Sequence, residues 1–134
     1  MTEKEIHLNV CTYLKTQYKK VIFTSDLSGL RLSIGQSVQV KKMRSSNGIP
    51  DILIFKPKIE DGKIWHGLFI ELKKDNVKLF KKDGSIVSDH IKEQFEMRYK
   101  LLNLRYFTSF VFGFDEAIKM IDWYMNLEDC KNNT

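Results

Sequence analysis

From Glu3 to about Lys19 the apolar residues Ile6, Val10, Tyr13 and Leu14 recur at the three-to-four-residue spacing of one helix face, with Thr2 where an N-cap belongs. The spacing predicts a first helix. VIFTS follows as a short run suited to a strand and ends at Asp26, Ser28 and Gly29, residues that favour a turn. Ser33 is placed to cap a helix over 34–43, against the lower helix preference of Gly35, Val38 and Val40. SSNGIP then punctuates the chain. DILIF after it has the length and β-branched content of a buried strand, IEDGKIW provides a turn, and WHGLFIELKK reads as the partner strand.

In KLFKKDGSIV, Asp83-Gly84 lies between two short segments suited to strands, which predicts a protruding basic hairpin. Asp89 to about Leu104 carries Ile91, Phe95, Leu101 and Leu102 on one side of a second long helix. The aromatic run YFTSFVFGF reads as a strand, and a last helix spans about Asp115 to Leu127. The order is helix, strand, short helix, strand, strand, helix, strand, helix. It implies an α/β fold with a small mixed central sheet flanked by helices. One domain is expected over 1–127, followed by a polar tail over 128–134.

Composition narrows the function classes. At 134 residues and 43% hydrophobic the chain has material for one compact core, and its 7 Gly and 2 Pro argue against a disordered, collagen-like or loop-dominated scaffold. Cys11 and Cys130 lie far apart without a CxxC or Cys/His spacing, so both are expected as free thiols in a reducing cytosol. No run approaches the roughly 18 apolar residues of a membrane span, and MTEKEIHLNV lacks the apolar centre of a signal peptide. The expected location is the cytoplasm. The net charge of +5 suits a polyanionic partner. Lys41, Lys42 and Arg44 precede GIPD, and Lys73, Lys74, Lys78, Lys81 and Lys82 follow it, so basic clusters bracket the acids that carry the candidate chemistry.

Side chains alternate across a strand, so in Glu71-Leu72-Lys73 the carboxylate and the ammonium share one face. Asp51 opens the preceding strand just after Pro50, and pairing of the two strands would bring its carboxylate to Glu71. Two carboxylates and a lysine suit phosphodiester hydrolysis. Mg²⁺ or Mn²⁺ prefers hard oxygen ligands, offsets charge on the phosphate and lowers the pKa of a bound water, while the lysine orients that water or the phosphate. Taken singly these residues have plainer readings, a Pro-Asp turn and a solvent-facing Glu-x-Lys pair. Together, between two strands, they favour chemistry.

Glu3 precedes Ile6, Val10 and Leu14 on the same helical stripe, so it either reaches the acidic site or only favours the positive helix end. Gln94 shares a side with Ile91 and Phe95; it either holds Lys73 or the attacking water, or marks the edge of the apolar face. His7 reads as a surface residue or a contact to DNA or Glu3. Arg98 reads as a buried partner or a DNA contact.

The strings NGIPD, GLFIELKK, HIKEQ and GFDEAIKMI, in this order and spacing, resemble the VRR-NUC family of the PD-(D/E)XK nuclease superfamily, in particular its small stand-alone members of the phage type. The resemblance implies a restriction-endonuclease-like fold. It implies that Asp51, Glu71 and the main-chain carbonyl of Leu72 hold the metal, that Lys73 is the catalytic lysine, that Gln94 is the family's helix glutamine and that Glu3 matches its N-terminal acid. By the same resemblance, Ser28 and Gly29 of DLSG approach DNA. GIPD here lacks the adjacent arginines from which the family takes its name.

The leading expectation is therefore a Mg²⁺- or Mn²⁺-dependent endonuclease acting on branched or junction DNA as a homodimer, with Tyr106–Phe114 or the final helix with Ile118, Ile121, Trp123 and Tyr124 as candidate apolar surface. A less selective nuclease is a second enzyme reading. A non-catalytic basic nucleic-acid-binding module is the alternative of another class.

Overall fold

The computed structural model describes residues 1–26 and 32–131. Helix α1, Glu3–Gln17, starts at a capping box in which the Thr2 hydroxyl accepts from the Glu5 amide and the Glu5 carboxylate accepts from the Thr2 amide. Its stripe Ile6, Val10 and Leu14 is buried as the spacing requires. Strand β1, Ile22–Ser25, leads towards α2, Ile34–Lys42, where Ser33 and Gln36 form a second capping box. Two reciprocal cap bonds give α2 a defined start in spite of Gly35 and its β-branched residues.

Strands β2, Ile52–Phe55, and β5, Gly67–Lys73, form the centre of a four-stranded sheet in the order β1-β2-β5-β6, where β6 is Tyr106–Phe112. β1/β2 and β2/β5 are antiparallel and β5/β6 is parallel, so the sheet is mixed. Between β5 and β6 the chain crosses over through α3, Asp89–Asn103. Helix α4, Gly113–Met125, follows β6 directly and begins two residues before the expected Asp115.

One sheet face meets α1 and α4. There Ile52, Ile54, Leu68, Ile70, Leu72 and Val111 pack with Ile6, Val10, Leu14, Ala117, Ile121 and Tyr124. On the other face α3 packs on β6, with the Phe95 and Phe110 rings 4.7 Å apart. Helices on both faces explain why every residue of β5 is buried. Alternation then decides the site: even-numbered residues enter the α1/α4 core, while Glu71 and Lys73 face the side of α3.

Three local features differ from the sequence expectations. IEDGKIW is a hairpin of its own, with β3, Lys58–Glu60, and β4, Lys63–Trp65, joined at Asp61 (φ 50°) and Gly62 (φ 77°). Two consecutive left-handed residues are the signature of the tight turn whose twist matches a hairpin. Residues 128–129, assigned from sequence to the polar tail, instead form β7, Glu128–Asp129, against β3. The reason is Lys58: its buried ammonium donates to the carbonyls of Met125 and Leu127 at 2.8 and 3.1 Å and to Asp129 Oδ1 at 2.6 Å, so it needs the chain after α4 as its acceptor. The basic ribbon is a turn with one bridge, Phe80 to Ile86, rather than two strands. It is held by Lys81 N–H to Ser85 O at 2.7 Å, by Asp83 accepting from Ser85, and by Phe80 lying on Phe95.

Cys11 and Cys130 are free thiols. Of the α4 apolar residues, Ile121 and Tyr124 fill the core and Trp123 is partly exposed. Among the described residues no helix is long and apolar enough to cross a membrane.

Candidate active site

Register brings the acids together. Ile52 pairs with Ile70 across β2 and β5, so Asp51, one residue before β2, falls opposite Glu71. Asp51 Oδ2 accepts the main-chain N–H of Leu72 at 2.7 Å, which ties the carboxylate to the strand that carries Glu71 and Lys73. The loop before Asp51 is fixed from the other side by Gly48. Its φ is +86°, and an added Cβ would lie 2.7 Å from the Glu93 carbonyl oxygen, so only glycine allows this loop to rest on the α3 backbone. Asp51 is thereby set between β5 and the helix that carries Gln94.

These elements enclose a cleft of about 390 Å³. Asp51, Glu71 and Lys73 line its sheet side, Gln94 and His90 line it from α3, and Glu3, Lys41 and Arg44 lie around the same space. Glu71, Lys73 and Gln94 are each only 6–7% exposed. Burial, then the hydrogen bond that the protonated carboxyl donates to Asp51 and the negative charge of Asp51, hold the Glu71 carboxyl far above the ordinary carboxylate range; Glu3 adds to the rise and Lys73 opposes it. A proton kept on Glu71 is the low-charge solution to placing a buried acid beside a second one. A divalent cation is the other.

The donor set fits such a cation of the hard, oxygen-seeking kind. Two carboxylates converge, yet among the described residues no three His, Cys, Asp or Glu side chains form a closed cage. Mg²⁺ is commonly held in this way, by one or two carboxylates with the remaining positions left to water or phosphate.

The remaining candidate residues separate into three groups. Glu3 is exposed, although it continues the buried stripe of α1, because the stripe runs past the edge of the core and opens on the cleft. Arg44 lines the cleft but is occupied, its guanidinium meeting both oxygens of Asp26 at 3.0 and 3.1 Å. Lys42 is exposed on α2, and Lys74, Lys78, Lys81 and Lys82 are exposed after β5, all outside the lining of the cleft. Ser28 and Gly29 lie outside the described residues.

Arg98 is structural: its Nε–H donates to the Thr108 carbonyl of β6 at 2.9 Å. His7 lies half-buried on α1, its Nε2 2.8 Å from the Ser25 hydroxyl. Its pKa is raised, chiefly by its hydrogen bond with Cys11 and against the opposing effect of burial, with Asp51 and Asp26 contributing through charge. His90 was missed from sequence. Its only signal there was a spacing of one helical turn from Gln94, and its Nε2 lies 3.2 Å from Gln94 Nε2.

No family model matches the sequence, and no curated protein does. Comparison with solved structures finds a chain described as a VRR_NUC domain protein, at a TM-score of 0.65 and 25% identity, the match covering 96% of this chain and 92% of that one. Over nearly its whole length, then, the chain has the VRR-NUC fold, a restriction-endonuclease-like α/β arrangement.

Proposed function

We propose that the protein is a metal-dependent endonuclease that hydrolyses DNA phosphodiester bonds, selective for branched or junction DNA. The observation that carries this reading is the convergence of Asp51, Glu71 and Lys73 in one cleft, with Asp51 bound to the β5 backbone at 2.7 Å. Asp51, Glu71 and the main-chain carbonyl of Leu72 would hold Mg²⁺ or Mn²⁺, with Glu3 at the border of the site. When bound, the ion supplies charge neutralisation at the phosphate and an acidified water. Lys73 contributes a positive charge within the cleft that favours the scissile phosphate and the developing oxyanion. Gln94 contributes an amide that orients a water. Lys41 at the cleft, with Lys42, Lys74, Lys78, Lys81 and Lys82 outside its lining, would track the backbone of a polyanion, while Arg44 is held by Asp26. The name of the structural relative, a VRR_NUC domain protein, supports a nuclease-type reading.

Selectivity for junctions is coupled to a homodimer, because one site cuts one strand and a two-fold pair matches a four-way junction. The partly exposed Trp123 and Phe107 at the surface of α4 and β6 supply apolar area for a partner copy.

The test is cleavage of single-stranded, duplex, flap and four-way-junction DNA in EDTA, Mg²⁺ and Mn²⁺, with light scattering in parallel. Junction cleavage that needs the metal and is lost in Asp51→Asn is the expected result. Binding to all four substrates without cleavage in any metal would identify a basic nucleic-acid-binding module, and equal cutting of all four would identify a less selective nuclease. A monomer, free and DNA-bound, would remove the paired cut.

A further inference from the structure

His90 and Gln94 lie one turn apart on α3, and both line the cleft. Their Nε2 atoms are 3.2 Å apart. With the Gln94 amide in this orientation its nitrogen is the donor, which requires the imidazole Nε2 to accept and the ring proton to sit on Nδ1. The other end of the amide is then fixed as well. Among the described residues Gln94 Oε1 has no hydrogen-bond partner, although it is buried in a side chain 7% exposed. Folded proteins leave few buried polar atoms unpaired, and one at the wall of a cleft shared with Asp51, Glu71 and Lys73 marks where a donor arrives.

We infer that His90 is a positioning residue that holds the Gln94 amide with Oε1 turned into the cleft, ready to accept a hydrogen bond from the water that attacks the phosphate. The alternative tautomer shows why the histidine matters. With its proton on Nε2, the ring would donate to Oε1, and the amide would present its NH₂ to the cleft. That group would then compete for the carboxylate lone pairs of Asp51 and Glu71 and would repel rather than orient a water proton. His90 thus decides whether the cleft meets an acceptor or a donor. The inference rests on the hydrolytic reading for the identity of the incoming donor, while the contact between His90 and Gln94 is independent of it.

Two measurements on the full chain test it separately. In ¹⁵N spectra of the metal-free protein, neutral His90 is expected as the Nδ1–H tautomer, opposite to the form that predominates in water, and the Gln94 side-chain NH₂ resonances, identified by their absence in Gln94→Ala, are expected to move in His90→Phe. An Nε2–H tautomer, or Gln94 resonances unchanged in His90→Phe, would overturn the inference even if the protein cleaves no DNA. In single-turnover cleavage, His90→Phe is expected to lose about 10–100-fold in rate with DNA affinity and melting temperature unchanged, the range typical of residues that orient a reacting group through another. His90→Gln, whose amide oxygen is able to accept from Gln94, is expected to restore most of the rate. Adding His90→Phe to Gln94→Ala should slow the enzyme no further, since the two act as one unit. Full activity in His90→Phe, or an additional loss in the double variant as large as in the single one, would overturn it.

Discussion

Strand β5 and helix α2 border the same cleft and are built in opposite ways. All seven residues of β5 are buried, between β2 and β6 and beneath helices on both faces. None of the nine residues of α2 is buried; Ile34 is 88% exposed and Lys42 lies open to solvent. Burial on β5 makes charge expensive, so Glu71 and Lys73 persist there only with partners at fixed positions, and what they do depends on geometry. Exposure on α2 makes charge inexpensive, so Lys41 and Lys42 adapt to a partner, and what they do depends on number and salt. Under the proposed function, chemistry falls to the floor of the cleft and affinity to its rim.

The largest expected effect separates the two regions most sharply. Asp51→Asn and Glu71→Gln each remove a proposed metal-ligand carboxylate at nearly constant volume, so cleavage should fall below detection while DNA affinity stays within a few-fold. Matched binding and single-turnover assays check this; turnover at the wild-type rate in either variant would free that residue of its role. Lys73→Ala should slow single-turnover cleavage by about 10²–10⁴-fold, the range of a positioned acid–base or charge-stabilising group, again with little change in affinity. A loss of affinity without loss of the bound-state rate would move Lys73 from the floor to the rim in function.

Changes at the exposed lysines of the Asp83-Gly84 turn, beyond the cleft, should behave in the reverse manner. Neutralising Lys78, Lys81 and Lys82 should weaken DNA binding and reduce the slope of log affinity against log salt by up to about 0.9 for each phosphate that is no longer neutralised, with the rate on bound DNA unaltered. A slope equal to wild type would place the Asp83-Gly84 turn away from the DNA.

The smallest effect is on stability. Because Glu71 is held above its ordinary pKa by burial and by Asp51, the metal-free native state keeps a proton that the unfolded chain releases near the usual glutamate value. The native state then binds more protons than the unfolded one, so stability falls as pH rises above that value, until the folded-state pKa is passed. Glu71→Gln, which carries no such proton, should flatten this fall and be more stable than wild type at pH 8 in EDTA, by on the order of 1 kcal/mol. Melting curves at pH 5 and 8 check it, and identical pH dependence in both proteins would contradict it.

What the sequence revealed follows the same division. Helices α1, α3 and α4 and the strands of the main sheet were legible because burial enforces a period, as in Ile6, Val10 and Leu14 or in GLFIELK, whereas α2, which buries nothing, was legible only from its Ser33 cap. Asp51 opposite Glu71 followed from two adjacent strands and their alternation. The β3/β4 hairpin and β7 were not legible, because they depend on Asp61 and Gly62 in left-handed conformations and on a buried Lys58, whose acceptors lie about seventy residues away. His90 carried no signal of its own, since an exposed histidine at the start of a helix acquires meaning only through the Gln94 atom it turns. Arg44 was grouped with Lys41 and Lys42 as a basic cluster because nothing in sequence announces its partner Asp26.

The most direct test of Asp51 and Glu71 as an ion site is calorimetric titration of Mn²⁺ into wild type and Glu71→Gln, each in two buffers of different ionisation enthalpy. Wild type should bind Mn²⁺ with release of roughly one proton per ion, since ligands must give up protons to coordinate, and Glu71→Gln should lose both the binding and the release. Undiminished Mn²⁺ binding by Glu71→Gln, or no binding by wild type with or without DNA, would contradict the assignment of Asp51 and Glu71 as the metal site.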